Sequence, residues 1–243
     1  MKYLHSLIRI IVILIAVAVV RYWAYPQAVR FYNYYTAESR MLKVPGFAEI
    51  KEFYPELYSQ ILADTKDAVL HGGNMDAIIA DNGQSIAALL QTDLPLASGQ
   101  STVGFINIFI SVVDKASNTD PQCCADMING NEQCMWSLMS PGEQNNMLKA
   151  IAAIIRSAHT EPESLHDAKR AQSDIGRISA DVVAKYGPEL DYTAQTPLTD
   201  EEKKKVCLAI ADLYKGTLKL TPQRSVDAIK FLLAGSGEPE QQQ

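Results

Sequence analysis

From residue 47 onward, apolar side chains recur at the three-and-four spacing of amphipathic helices. Ile50, Phe53, Tyr54, Leu57, Ile61 and Leu62 keep that spacing, with Pro55 placed as the first residue of a second helix after a break. Gly72-Gly73 then supply a left-handed cap that stops the helix at His71. Asn74 is positioned to cap the next helix, which carries Ile78, Ile79, Ile86, Leu89 and Leu90 and ends at Leu94-Pro95. Residues 100–115 are nearly apolar all round, which predicts a central buried helix, although the β-branched content is also compatible with a strand. The polar stretch 117–142 is expected to be a loop.

The carboxyl-terminal half has the clearest punctuation. Ser140-Pro141-Gly142-Glu143 is a capping box ahead of Leu148, Ile151, Ile155 and Ala158, and Thr160-Glu161-Pro162-Glu163 reads as a second ahead of Leu165, Ile175, Ile178 and Val182, closed by Gly187-Pro188. Thr199-Asp200-Glu201-Glu202 opens a third helix, and Thr221-Pro222 opens a last one bearing Val226, Ile229 and Leu233. Four such helices with short connections are expected to pack together as a bundle.

The amino terminus follows a different pattern. Ile10 to Val20 is an unbroken run of 11 apolar residues between Arg9 and Arg21. The run alone is too short to cross a bilayer. Leu4 to Ala24 reaches ~31 Å as a helix, which suffices if both arginines extend toward the headgroups. Tyr22, Trp23, Tyr25, Phe31, Tyr32, Tyr34 and Tyr35 then place 7 of the chain's 19 aromatic residues within 14 positions, a composition suited to the headgroup layer. Arg9, Arg21, Tyr22, Trp23 and Tyr25 are the candidate membrane-interface residues. A cleaved secretory signal is the competing reading, but Ala16-Val17-Ala18 lies inside the apolar run and Ala24 and Ala28 are spaced wrongly for cleavage.

The expected architecture is therefore all-α, an amino-terminal membrane-anchor helix followed by a bundle of about six to eight helices. Residues 1–25 form the anchor, 26–46 a juxtamembrane aromatic and basic segment, 47–235 the helical domain and 236–243 a disordered tail.

Charge divides the chain at the same place. The net charge is −6, yet residues 1–43 carry six basic side chains and Glu38 alone, while the remaining 200 residues hold 16 basic and 27 acidic ones. An acidic body repels phosphate backbones, which argues against a nucleic-acid partner. Counting cations does not orient the anchor, since Lys2 and Arg9 lie on one side and Arg21, Arg30, Arg40 and Lys43 on the other.

The four cysteines are Cys123, Cys124, Cys134 and Cys207. Neighbouring α-carbons stand ~3.8 Å apart, too close for an unstrained bridge, so Cys123 does not pair with Cys124. Cys134 then pairs with one member of the doublet and Cys207 with the other. Disulfides require an oxidising compartment, so the body is expected to be periplasmic or otherwise extracytoplasmic. Free buried thiols, or a redox role for the doublet, are the alternatives. The spacing C-C-x9-C does not match a zinc site.

Motifs of established enzyme chemistry are missing: there is no phosphate loop, no G-x-S-x-G elbow, no H-E-x-x-H helix and no S-x-x-K pair. His159 and His166, beside Glu161, Glu163 and Asp167, resemble metal ligands, but capping and helix-dipole roles account for those acids. No catalytic, cofactor or metal residue is nominated. The leading expectation is a non-enzymatic protein-interaction module, an accessory subunit or an immunity-type binder, held on the lipid bilayer by its amino-terminal helix and engaging a protein partner. The second is an envelope-polymer hydrolase working through an Asp/Glu pair.

Overall fold

The computed structural model describes residues 25–71, 85–128, 133–187 and 199–233. All regular structure among them is helical. The segments are α1 (Tyr25–Met41), α2 (Phe47–Phe53), α3 (Pro55–His71), α4 (85–93), α5 (Gly99–Thr119), α6 (Pro121–Ile128), α7 (Gln133–Leu138), α8 (Pro141–Thr160), α9 (Ala168–Tyr186), α10 (Asp200–Leu218) and α11 (Pro222–Leu233). The expected anchor, with Arg9, Arg21, Tyr22 and Trp23, lies outside the described residues, as do Gly72-Gly73, the Asn74 cap and the tail. Among the described residues no helix is long and apolar enough to cross a membrane.

The central element is α5, which packs against α6, α7, α8, α10 and α11. Ile106, Ile110, Val112, Val113 and Ala116 are buried along it. Its first turn is capped by Ser98, whose hydroxyl accepts from the Ser101 amide. The main core joins Val112, Val113 and Ala116 to Ile50, Tyr58 and Ile61 on one side and to Met147, Ile151 and Ile155 on the other. The break before Pro55 is where the sequence places it: Tyr54 ends α2 with φ −133° and ψ 59°, outside the helical region from which the residue before proline is crowded.

Three expectations are corrected. The described residues of 117–142 are not one loop: they include the end of α5 and two short helices, α6 and α7, ahead of the Ser140 cap. Asp120 ends α5 and accepts from the Cys123 amide at 3.0 Å, and Pro121 then takes the first helical position. The four carboxyl-terminal helices do not make one sequential bundle. α9, α10 and α11 pack on one another, whereas α8 packs on α5 and α2.

The capping box expected at Thr160 does not form. Residues 161–167 are not helical, and α9 starts at Ala168 behind Asp167, whose side chain accepts from the Arg170 amide at 2.9 Å. Glu163, the presumed box acid, is held by tertiary contacts instead. Its amide donates to the Leu96 carbonyl at 2.8 Å, its carboxylate accepts from the Gly99 amide at 2.6 Å, and its carbonyl accepts from the Lys230 ammonium. Lys230 is 1% exposed and donates also to the Ala97 carbonyl at 2.7 Å. One ammonium thus satisfies carbonyls on two irregular segments that no helix could serve. Burial pushes its pKa down, opposed by the charges of Glu163 and Asp227.

The amino-terminal segment 26–46 is largely α1, which packs on α3. Ala37 and Met41 are buried, and Glu38 accepts from Lys51 at 2.8 Å and from Tyr58 at 3.4 Å. Tyr25 opens this helix.

The α9–α10 crossing depends on Gly216, where an added Cβ would stand 2.4 Å from Cγ2 of Ile178. Gly216→Ala is expected to cost about 1–3 kcal/mol in urea unfolding through overpacking. Ile178→Ala in the same chain should make the two losses less than additive. Gly176→Ala, where a Cβ meets nothing within 4 Å, should be neutral or stabilising.

Candidate functional site

The disulfide clasp is built from three elements. Cys123 and Cys124 stand on α6, Cys134 on α7 and Cys207 on α10. Cys123 is bonded to Cys134 and Cys124 to Cys207, with α-carbons 5.6 and 6.2 Å apart. This resolves the two connectivities that sequence left open, and no free cysteine remains for thiol chemistry. Cys124 and Cys207 are fully buried in the main core.

A second cluster was not anticipated. Asp93, at the end of α4, is 2% exposed, and one of its carboxylate oxygens accepts from the Tyr54 hydroxyl at 2.5 Å. His159 on α8 brings Nε2 to 3.0 Å from the Tyr54 oxygen and 3.5 Å from the same Asp93 oxygen, its ring stacked on Phe53 at 4.6 Å. The other Asp93 oxygen is buried with no hydrogen-bond partner. Burial raises the Asp93 pKa above its ordinary value, against the Tyr54 hydrogen bond and the His159 charge; burial, then Asp93, raises that of Tyr54. The cluster fastens the α2–α3 break to α4 and α8. In the sequence, the only sign was an acid placed just before Leu94-Pro95.

His166 is separate from it. Its amide donates to Asp227 at 3.1 Å, and its ring lies 2.8 Å from Gln223. The two histidines therefore serve different contacts, and among the described residues no three His, Cys, Asp or Glu side chains gather as a metal-binding group.

An open recess of about 670 Å³ lies between α9 and α10. Ile178, Val182, Leu218 and Leu220 line it together with Arg177, Lys185, Lys215 and Lys219, and with two carboxylates, Asp181 and Asp212. Asp212 is already engaged: Lys185 donates to it at 2.5 Å and Tyr186 at 2.8 Å. Burial alone would raise its pKa, but those hydrogen bonds and the charges of Lys185 and Lys215 outweigh it and hold the carboxyl below its ordinary value.

Comparison of the chain with protein-family models, with curated proteins and with solved structures returns no match.

Asp93 makes stability depend on pH with a definite sign. A carboxyl whose folded pKa exceeds its unfolded one binds more protons in the folded state, so its contribution falls as pH rises through the folded value. Asp93→Asn should therefore gain stability relative to the parent in urea titrations as pH rises from the ordinary carboxylate range through the raised folded value, and level off above it. A difference independent of pH would contradict this account of the buried carboxyl.

Proposed function

We propose that this protein is a membrane-tethered helical interaction module of the cell envelope, an accessory subunit or immunity-type binder that presents an acidic, disulfide-clasped body to a protein partner. The observation that carries this reading is the pair of disulfides that consumes all four cysteines. Such bridges persist in oxidising compartments, and the apolar run Ile10–Val20 supplies the means of export and retention. The body's excess of acids over bases favours a partner with a cationic face and disfavours nucleic acid.

The hydrolase alternative has less support. The recess offers Asp181 and Asp212, but a glycosidase-type general acid needs a raised pKa, and Asp212 is held in the opposite direction by Lys185 and Tyr186.

Compartment is the first thing to test. Val183 is 40% exposed on α9. A Val183→Cys variant of the full chain should react with a membrane-impermeant maleimide in cells whose inner membrane is intact. Labelling only after that membrane is permeabilised would place the body in the cytosol and remove the envelope assignment. With the compartment fixed, cross-linking of the tethered full chain at moderate salt should capture a basic protein partner.

A further inference from the structure

Exposed large apolar side chains are concentrated on one short stretch of the described residues. Six of the eight, Val29, Phe31, Tyr32, Tyr35, Leu42 and Val44, lie in α1 and the turn that follows it. Tyr35 is 77% exposed, Tyr32 62% and Phe31 54%. At about 100° per residue these three rings form a stripe directed away from Ala37 and Met41, through which the helix is packed onto the body. An aromatic stripe turned outward on a packed helix leaves an apolar face without a partner in the chain's own described core.

The charges beside the stripe narrow the occupant. Arg30, Arg40 and Lys43 lie in the same stretch, and its single acid, Glu38, is paired with Lys51 and Tyr58. The rest of the body is acidic. A basic protein would meet repulsion at these cations, whereas an anionic lipid surface would not. Tyrosine and phenylalanine interleaved with arginine match the headgroup layer, with ring bodies in the acyl boundary and polar tips in water. The helix also begins five residues after the apolar run Ile10–Val20 ends, which keeps this face within reach of a bilayer that holds the run.

We propose that the Phe31, Tyr32 and Tyr35 face of α1 is a second membrane contact, lying in the headgroup layer of an anionic bilayer and holding the body against the surface rather than at the end of a free tether. This rests on the tether reading above.

The test uses the full chain in nanodiscs, with nitroxides introduced singly through Ile15→Cys, Tyr35→Cys and Val183→Cys, and compares collision with oxygen and with a polar nickel reagent. In bilayers containing phosphatidylglycerol, position 15 should be immersed, position 183 in water, and position 35 at headgroup depth with an oxygen-to-nickel ratio several-fold above that at 183. In pure phosphatidylcholine the ratio at 35 should fall toward that at 183. A water-like position 35 in both lipids, with 15 immersed, would overturn the second contact and leave the tether standing. A water-like position 15 would overturn the tether and this inference with it. A position 35 shielded from both reagents would mean that protein covers the stripe, and would also overturn the proposal.

Discussion

Cys124 stands on a helix of only eight residues, and Cys207 on one of nineteen that begins at Asp200, 76 positions beyond Cys124. A helix as short as α6 has too few internal hydrogen bonds to persist alone in water. The bridge between these two cysteines closes an 83-residue separation at the centre of the main core, against Val113, Ala116, Met127 and Ala211. In chain-entropy terms a loop of that length is worth ~4.5 kcal/mol, against ~3 kcal/mol for the 11-residue loop closed by Cys123 and Cys134. The long closure fixes α10 on α6 and α5. α9 and α11 then pack against α10, and Lys230 on α11 in turn secures the irregular segments around Ala97 and Glu163. The small clasp holds α7 beside α6, and together they cover one end of α5.

What the sequence made legible follows the range of the interactions involved. The capping boxes at Ser140 and Thr199 are complete within four residues, and both form with the bonds their residue types imply. The Pro55 break and the Gly187 helix end are equally local. Thr160-Glu161-Pro162-Glu163 has the same local grammar and fails, because Glu163 finds partners on Leu96, Gly99 and Lys230, 64 to 67 residues away on either side. α6 and α7 were hidden because eight and six residues cannot display a convincing period, although Asp120-Pro121 is a readable start signal. The Asp93 cluster and the buried Lys230 were invisible for a related reason. Each charge is tolerated only by partners that the fold delivers, and Lys230 differs from a solvated lysine only in standing beside Ile229 on the apolar side of α11.

Electrostatics and exposed apolar surface divide the molecule in the same way. The amino-terminal stretch is cationic and aromatic, and the body is acidic with its cysteines oxidised. The cations that line the recess between α9 and α10 are partly neutralised within the fold by Asp212 and Asp114. A charged surface of this kind governs which partner approaches and how fast more than how tightly it is held. A clasped helical body is well suited to present it in one fixed geometry.

The pairing of Cys124 with Cys207 is tested most directly by disulfide mapping of the full chain, taken from its own cells with free thiols blocked at lysis. Fragmentation between the adjacent Cys123 and Cys124 assigns each sulfur. The whole population should join Cys207 to Cys124 and Cys134 to Cys123. The crossed pairing, or four blocked thiols, would contradict the fold's central closure and the compartment inferred from it.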